Sequence, residues 1–519
     1  MTDYLDEKEE LRSFYTFSPS KAGILEAAER RADFPINHSL LVATLEKQYA
    51  GLRQHENVGR NISLLKEKNT YTICTAHQPN LLTGYLYFVY KILHAVKLAE
   101  ELNKECPEKK FVPVYYMGSE DNDLDELGTF RYGGQKYVWD GAGQNGAVGR
   151  MNTKGLDVIL GDLFKTMGPP GDHYNSLKEI ISAAYLQHNT IAKATLYLVN
   201  ELFGRFGLLV LDPDEVELKR SFIPVIKDEL LHTTSFDIVS AVNAKLEENY
   251  KIQAAPRHIN LFYLEDDLRE RIERQGDKWR VVNTTISWTE AELLKDVEEH
   301  PERFSPNVIL RGLYQETILP NVAFIGGGAE VAYWLQLKEV FTHYGVFYPN
   351  VQLRQSALWI GARESRMRRQ LELGIADIFA AELELLKRYI TANSSDEWQT
   401  AEEEKAMEAI MQQLKEKAAK VDVTLRASAE ASLAKMRYQL QVLEKKMLRA
   451  EKRKMHVQLN RISNLKNALF PANGLQERVE NFAGYYLQYG ASYFDILKDA
   501  IKPFDALFLV VESCDDTQA

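Results

Sequence analysis

A histidine-containing loop near residue 80 joins a predicted strand to a predicted helix. It reads Thr75-Ala-His-Gln-Pro-Asn-Leu-Leu-Thr-Gly84, and Lys91 follows in the helix. In open α/β sheets ligands bind at the carboxyl ends of strands, and the free N–H groups that begin a helix favour anions. His77 could therefore serve as an acid, a base or a donor to a phosphate. A structural loop histidine is the alternative.

An acidic loop directly follows a second predicted strand, Phe111–Met117. Five carboxylates fall within seven residues of this loop: Glu120, Asp121, Asp123, Asp125 and Glu126. Carboxylates this close repel one another unless cations or hydrogen-bond donors hold them. The loop is therefore predicted to bind substrate ammonium groups or Mg²⁺, or to supply a general base with a raised pKa. A solvated acidic loop is the alternative.

A third polar group combines an arginine with a run of glycines. Asn307, Arg311 and Gln315 follow Phe304, and the glycines 326–328 precede Tyr333 and Trp334. A strand that ends in glycines and opens a helix can cradle an anion, because the backbone can approach a ligand closely. Arg311 could bind a carboxylate or phosphate through two parallel hydrogen bonds. The alternative is a tight structural turn, and the chain has no Walker A sequence.

The elements around these groups are predicted to form an α/β fold. Short apolar runs alternate with helical stretches, which is typical of a mainly parallel sheet with crossover helices. The glycine-rich segment 128–155 is predicted to form hairpins and loops. The candidate strands are Tyr71–Thr75, Phe111–Met117, Leu208–Leu211, Ile259–Leu264, Val322–Ile325, Val346–Tyr348 and Leu507–Val511.

A long helical segment interrupts the α/β pattern near the C-terminal end. Residues 375–470 contain no glycine or proline, and apolar residues from Met407 to Leu425 recur every three or four positions. This spacing predicts a coiled coil, here an antiparallel helical hairpin that projects from the body and covers the core or pairs with a second copy. We therefore expect four parts: a helical segment 1–68 packed on the core, an α/β core 69–374, the coiled-coil arm 375–470, and a segment 471–519 that returns to the core.

Composition argues against several classes of protein. The net charge of −11 disfavours nucleic acid and anionic membranes as partners, because both are bound through basic surfaces. Cys74, Cys106 and Cys514 are too few for a disulfide framework and are predicted to be unpaired thiols. The first residues lack the basic and apolar regions of a signal peptide. These features together predict a cytoplasmic protein.

Taken together, the motifs resemble the bacillithiol synthase family, the cysteine-adding enzymes of bacillithiol biosynthesis. The similarity extends over nearly the whole chain. It is strongest in five stretches: His77–Lys91, Val112–Leu127, Phe304–Gln315, Ile325–Leu337 and Leu465–Glu480. The last contains Leu469-Phe-Pro-Ala-Asn-Gly-Leu-Gln-Glu-Arg478, which looks like the C-terminal signature of the family.

This resemblance implies a Rossmann-like core akin to nucleotidyltransferase-type ligases, with connecting insertions, and a coiled-coil arm that makes a homodimer. The implied reaction joins the carboxyl group of L-cysteine to the amino group of glucosaminyl-malate, as the last step towards bacillithiol. A free carboxylate is a poor electrophile, so we expect ATP or ADP as the nucleotide and Mg²⁺ as a possible companion. Another ATP-dependent amide-forming or nucleotidyl-transferring enzyme and a non-catalytic, dimeric ligand-binding protein remain alternatives.

The substrate pair suggests a role for each polar group. Asp121 or Asp123 is expected to remove the proton from the attacking ammonium, and His77 with Gln78 to line the phosphate or acyl-activation pocket. Glu120 and Asp125 would bind amines, Arg311 or the glycine turn would bind the malate carboxylates, and Lys91 would bind the nucleotide with that turn. The complete expected set is His77, Asp121 and Asp123 for catalysis, Gln78, Thr83, Gly84, Glu120, Asp125, Asn307, Arg311, Gln315, Tyr333 and Trp334 for substrates, and Lys91, Gly326, Gly327 and Gly328 for the nucleotide.

Two positions depart from the pattern of the family. Asn122 stands where the family usually has a histidine between two aspartates, and asparagine cannot relay a proton. Tyr85 replaces the proline expected after Thr83 and Gly84, which could change how the following helix begins.

Overall fold

A parallel five-stranded sheet forms the centre of the first of two compact units. The computed structural model describes residues 1–394 and 399–513, so Cys514 lies outside the described residues. The first unit comprises 1–358 and 476–511, and the second comprises 359–475 and the chain from 512 onward. The strands of the parallel sheet are β1 (Thr70–His77), β2 (Lys110–Met117), β3 (Leu209–Leu211), β4 (Asn321–Gly326) and β5 (Asn350–Leu353).

The strand order is β5-β4-β1-β2-β3, and every neighbouring pair is parallel. The chain therefore proceeds from β1 towards one edge and then crosses to the other edge through β4. In sheets of this kind ligands bind at the carboxyl ends of the strands where the order reverses, which here is between β1 and β4. The prediction of a Rossmann-like parallel core is confirmed.

Strand β1 is buried on both faces from Thr70 to Ala76, as parallel strands covered by helices are. The helix after it, α1 (Leu86–Glu105), buries thirteen of its residues. Segment 346–348, expected as a strand, is irregular, and the strand begins at Asn350 instead. Phe347 and Tyr348 are nonetheless buried, because they pack as aromatic core residues, which explains the misleading apolar run.

An antiparallel sheet forms a second layer within this unit. It has the order Phe304–Pro306, Leu261–Glu265, Leu268–Gln275, Lys278–Val281, Ser287–Trp288. The predicted strand at 259–264 belongs to this sheet and not to the parallel one. The expected hairpin in 128–155 is confirmed as Thr129–Tyr132 paired with Gln135–Val138.

Helices cover the parallel sheet and begin close to the N-terminus. Helices α2 (Val308–Ile318) and α3 (Gly328–Trp334) flank β4. The other α-helices of the unit are Thr2–Leu5, Lys21–Arg30, His38–Gln48, Glu56–Leu64, Leu124–Leu127, Leu156–Thr166, Asp172–Gln187, Ile191–Phe203, Val216–Arg220, Ile223–His232, Thr234–Leu246, Glu290–Glu299, Lys338–Tyr344, Ala483–Tyr489 and Ser492–Ala500. Two further strands are Ala357–Ile360 and Leu509–Glu512.

The second unit is helical. Its helices are Ala362–Gln370, Glu382–Asn393, α4 (Ala401–Val421), α5 (Leu425–Lys454) and His456–Leu469. Lys415 of α4 pairs with Glu430 of α5, whereas Glu404 and Glu408, earlier in α4, pair with Arg437, later in α5. The two helices are therefore antiparallel, which confirms the predicted helical hairpin.

In the part of the chain that the structure describes, every helix is too short or too polar to span a membrane. Cys74 and Cys106 are both free thiols, as the sequence predicts.

Candidate active site

A cavity of about 470 Å³ lies at the carboxyl ends of β1 and β4, at the predicted switch point of the sheet. Thr75 and Ile325 are partners in the two strands, so the loops that follow them meet at one edge. The polar side chains of its wall are His77, Gln78, Tyr87, Lys91, Tyr116, Glu120, Asp121, Glu126, Arg269, Asn307, Arg311, Glu330, Tyr333, Arg354 and Arg478, together with the backbone of Gly327 and Gly328.

His77 lies at the end of β1. Burial, followed by the positive charges of Lys91 and Arg354, holds its pKa well below the usual value. The ring lies between Tyr87 and Phe88, with both ring centroids 5.4 Å away. Its Nε2 atom is buried and has no hydrogen-bond partner among the described residues. An orphaned polar atom is costly, so Nε2 is suited to a ligand.

The glycine turn after β4 is bridged by a carboxylate of the same chain. The backbone N–H of Gly327 donates to Oε2 of Glu330 at 2.8 Å. The same oxygen lies 2.6 Å from Nζ of Lys91, which also donates to the carbonyl of Ala76 at 2.6 Å. Burial lowers the pKa of Lys91, and Glu330 opposes that shift. Two of the donors expected to bind a nucleotide are thus engaged by Glu330, and Gly326 lies within β4, outside the cavity wall.

The acidic loop does not form the carboxylate cluster that its sequence suggests. Glu120 turns inward and pairs with buried Lys219 at 2.5 Å, while burial raises the pKa of Glu120. Asp123 accepts the N–H of Glu126 and caps the short helix 124–127. Asp123 and Asp125 are outside the cavity wall, since capping and helix geometry turn them towards solvent. Within 1–394 and 399–513, no three His, Cys, Asp or Glu side chains are grouped to hold a metal ion.

Two carboxylates of this loop line the cavity in addition to Glu120. Asp121 accepts a hydrogen bond from Gln78 at 3.1 Å and lies 4.0 Å from Nη1 of Arg269. Glu126 has no ion pair or side-chain hydrogen bond within the described part of the chain. Desolvation, followed by the negative charges of Asp123 and Asp121, raises the pKa of Glu126.

Arg311 extends from helix α2 into the cavity. Asn307 begins this helix and caps it by accepting the N–H of Ile309 at 2.9 Å. Nη2 of Arg311 donates to the hydroxyl of Tyr333 at 2.7 Å, and Nη1 donates to Gln315 at 3.3 Å. In the described ranges no carboxylate pairs with Arg311, so its charge is available to an anionic ligand.

Four predicted substrate-binding residues support the site from behind its wall. Gln315 is buried and bonds Glu316, and Trp334 is buried against Phe324 with ring centroids 4.6 Å apart. Thr83 and Gly84 form a tight turn with positive φ angles, and the carbonyl of Gly84 accepts from Asn481 at 2.6 Å. These residues shape the site and do not line the cavity.

Three arginines that the sequence did not point to also line the cavity: Arg269, Arg354 and Arg478. Arg354 directly follows β5 and makes a bidentate ion pair with buried Glu477, at 2.8 and 3.0 Å. Placing the strand at 346–348 hid the fact that Arg354 stands at a strand end. Arg269 comes from the antiparallel sheet, and nothing in the local sequence indicates that this sheet reaches the cavity. Arg478 lies within the C-terminal signature and could have been found there.

Comparisons with known proteins agree with this architecture. The family model for the N-terminal Rossmann-like domain of bacillithiol biosynthesis BshC matches residues 1–355. The model for the C-terminal coiled-coil domain of bacillithiol biosynthesis BshC matches residues 357–513.

Three relatives are each named "Putative cysteine ligase BshC". The protein from Flavobacterium johnsoniae is 40% identical over 98% of this chain and 96% of its own length. That from Christiangramia forsetii is 37% identical over 98% of this chain and 96% of its own. That from Bacillus cereus ATCC 14579 is 27% identical over 95% of this chain and 94% of its own.

Proposed function

This chain belongs to the BshC family of bacillithiol biosynthesis, and we propose that it is a cysteine ligase. The proposed reaction forms an amide between the carboxyl group of L-cysteine and the amino group of glucosaminyl-malate, giving bacillithiol in the last step. The observation that carries this proposal is the cavity at the switch point. It combines several carboxylates with Arg311, which has no carboxylate partner among the residues that the structure describes. Both substrates carry carboxylate and ammonium groups, so charges of both signs are needed.

Carboxyl activation by ATP is part of the proposal. The buried Nε2 of His77 lacks a hydrogen-bond partner in the described part of the chain, so it suits a phosphate group. Lys91 and Arg354 add positive charge to the same wall, although Glu330 and Glu477 pair with them. When bound, ATP would supply the leaving group that makes the cysteine carboxyl carbon reactive. Mg²⁺ would arrive with the nucleotide, since this ion is commonly bound by one or two carboxylates together with substrate phosphates.

We assign binding of the malate carboxylates to Arg311, whose fork-shaped guanidinium suits a carboxylate. The attacking amine must lose a proton, and a general base works best when its pKa is near the working pH. Glu126 suits this role better than the expected Asp123, because Glu126 lines the cavity and its pKa is raised. Asp121 would hold Gln78 and face Arg269.

We also propose a homodimer formed through the helical hairpin. Apolar side chains on α4 and α5 remain exposed, including Ile410, Leu414, Met436 and Leu443. Exposed apolar positions at coiled-coil spacing are typical of a surface that a further helix covers. Sedimentation of the full chain should give a dimer, and Leu414→Glu combined with Leu443→Glu should shift it towards monomer.

Reconstitution tests the proposed reaction. The purified protein is incubated with L-cysteine, glucosaminyl-malate and Mg²⁺, with and without ATP, and products are measured by mass spectrometry. We expect bacillithiol only with ATP, and the nucleotide product, ADP or AMP, identifies how the carboxyl is activated. A folded protein that makes no product in either mixture would support the alternative of a non-catalytic binding protein, and product without ATP would refute nucleotide activation.

A further inference from the structure

Glu330 lines the cavity and makes its closest contacts through one carboxylate oxygen, Oε2. Its Oε2 atom accepts a hydrogen bond from Gly327 N–H at 2.8 Å and lies 2.6 Å from Nζ of Lys91. The side chain remains 24% exposed. Within 1–394 and 399–513, Oε1 has no hydrogen bond. The residue is therefore fixed in position while one oxygen can still accept a hydrogen bond.

The other carboxylates of the cavity are placed differently. Glu120 already forms an ion pair with buried Lys219, so it is not available to a ligand. Asp121 accepts Gln78 on one oxygen and the N–H of Asn122 at 2.7 Å on the other. Glu126 is exposed, and no side-chain partner in the described ranges fixes its direction. Glu330 thus combines a fixed orientation with a free acceptor, which a site for a specific donor group requires.

In the proposed reaction, the two amines must be in opposite protonation states. The amine of glucosaminyl-malate must lose its proton to attack. The amine of cysteine must stay protonated while its own carboxyl reacts, because a free amine there would compete as a nucleophile. A carboxylate in contact with an ammonium group favours the charged form of that group. The amino-acid substrate therefore needs a carboxylate that is oriented in advance and is separate from the general base.

We propose that Glu330 binds the α-ammonium group of the amino-acid substrate through Oε1 and so determines specificity for an α-amino acid. This inference rests on the proposed function and adds a residue and a role to it. Lys91 and Gly327 act as positioning groups, since both hold Oε2 of a side chain that lines the cavity. A thiol acid without an amine would gain nothing from Glu330.

Calorimetric titration separates this role from a structural one. L-Cysteine and 3-mercaptopropionate, which lacks only the ammonium and one stereocentre, are titrated into the full chain with glucosaminyl-malate present and no nucleotide. We expect the unaltered protein to bind cysteine about tenfold more tightly, the size of one hydrogen bond to a charged group. Glu330→Gln should lose this preference and leave 3-mercaptopropionate affinity within about twofold, because glutamine keeps an acceptor for Gly327 N–H.

Glu339→Gln is the matched control, since Glu339 is an exposed glutamate of the same unit, with its side chain 51% exposed. It should change neither affinity. Equal weakening of both ligands by Glu330→Gln, or an unchanged preference for cysteine, would overturn the assignment while leaving the proposed reaction intact. Absence of cysteine binding by the unaltered protein would overturn both. If the variant fails to fold, the unaltered protein still provides a test, because equal affinities for cysteine and 3-mercaptopropionate would overturn the assignment.

Discussion

Arg311 and Arg354 line the same cavity, but the chain compensates their charges differently. Arg354, at the end of β5, is clamped by Glu477 through two hydrogen bonds, and both side chains are almost fully buried. Arg311, on helix α2, contacts a tyrosine hydroxyl and an amide. A charge that the chain neutralises itself serves mainly to fix the fold. A charge without a counter-ion at the carboxyl ends of the strands is available to a ligand.

The largest expected effect comes from removing Glu477, the counter-charge of Arg354. Glu477→Gln leaves the guanidinium of Arg354 buried without a counter-charge, and removing one partner of a buried ion pair typically costs about 3–5 kcal/mol. Chemical denaturation should show a loss of this size in the free energy of unfolding. The control Glu339→Gln should stay within about 0.5 kcal/mol. An unchanged stability for Glu477→Gln would show that this pair does not hold the fold.

The next prediction concerns Glu126, the carboxylate proposed as the general base. Its pKa is raised, so it takes up a proton at a higher pH than an ordinary glutamate, and a base must be ionised to act. The rate should therefore fall as the pH drops through this raised pKa and reach a plateau above it. Glu126→Gln should lower kcat about 100-fold and abolish this acidic limb. A variant with the same pH profile as the unaltered protein would exclude Glu126 as the base.

Arg311→Ala sharpens the contrast with Arg354. The loss of one charged hydrogen-bonding group should reduce kcat/KM for glucosaminyl-malate by roughly 30-fold, equivalent to about 2 kcal/mol. The free energy of unfolding should change by less than about 1 kcal/mol, because Arg311 forms no ion pair with any described residue. Arg131→Ala, an exposed arginine outside the cavity, is the control for both measurements. A large stability loss with normal kinetics would assign Arg311 to the fold.

The smallest expected effect on kcat/KM comes from substituting Asn122, which contacts a cavity residue without lining the cavity itself. Its side-chain oxygen accepts from Nη1 of Arg269 at 2.9 Å, and Asn122 is not part of the cavity wall. Asn122→Ala should cost about fivefold in kcat/KM, the size of one ordinary hydrogen bond, by loosening Arg269. Steady-state kinetics of Asn122→Ala and Asn122→His would check this. A loss of activity comparable to that of Glu126→Gln would place Asn122 in the chemistry itself.

The sequence predicted the architecture well because period and composition are local signals. The parallel core, the hairpin at 129–138 and the antiparallel helices follow from apolar spacing and from glycine placement. His77, Asp121 and Arg311 were found because each belongs to a loop or helix next to a strand end. Their convergence in one cavity follows from the pairing of β1 with β2 and β4.

Side-chain direction was the part that sequence could not provide. The five acidic residues look equivalent in the sequence, but Glu120 meets Lys219, which is 99 positions away. The glycine turn looks open, but Glu330, three residues after Gly327, closes it with help from Lys91. Such choices depend on partners distant in sequence, so spacing alone does not indicate them.

The most direct test of the central claim follows the oxygen atoms of the cysteine carboxyl group. Cysteine labelled with oxygen-18 at both carboxyl positions is incubated with the protein, glucosaminyl-malate and ATP. The products are then analysed by mass spectrometry. If this cavity activates cysteine through the nucleotide, one heavy oxygen stays in the amide of bacillithiol and the other appears in released phosphate or AMP. Label that appears only in water, or bacillithiol formed without ATP, would contradict the account.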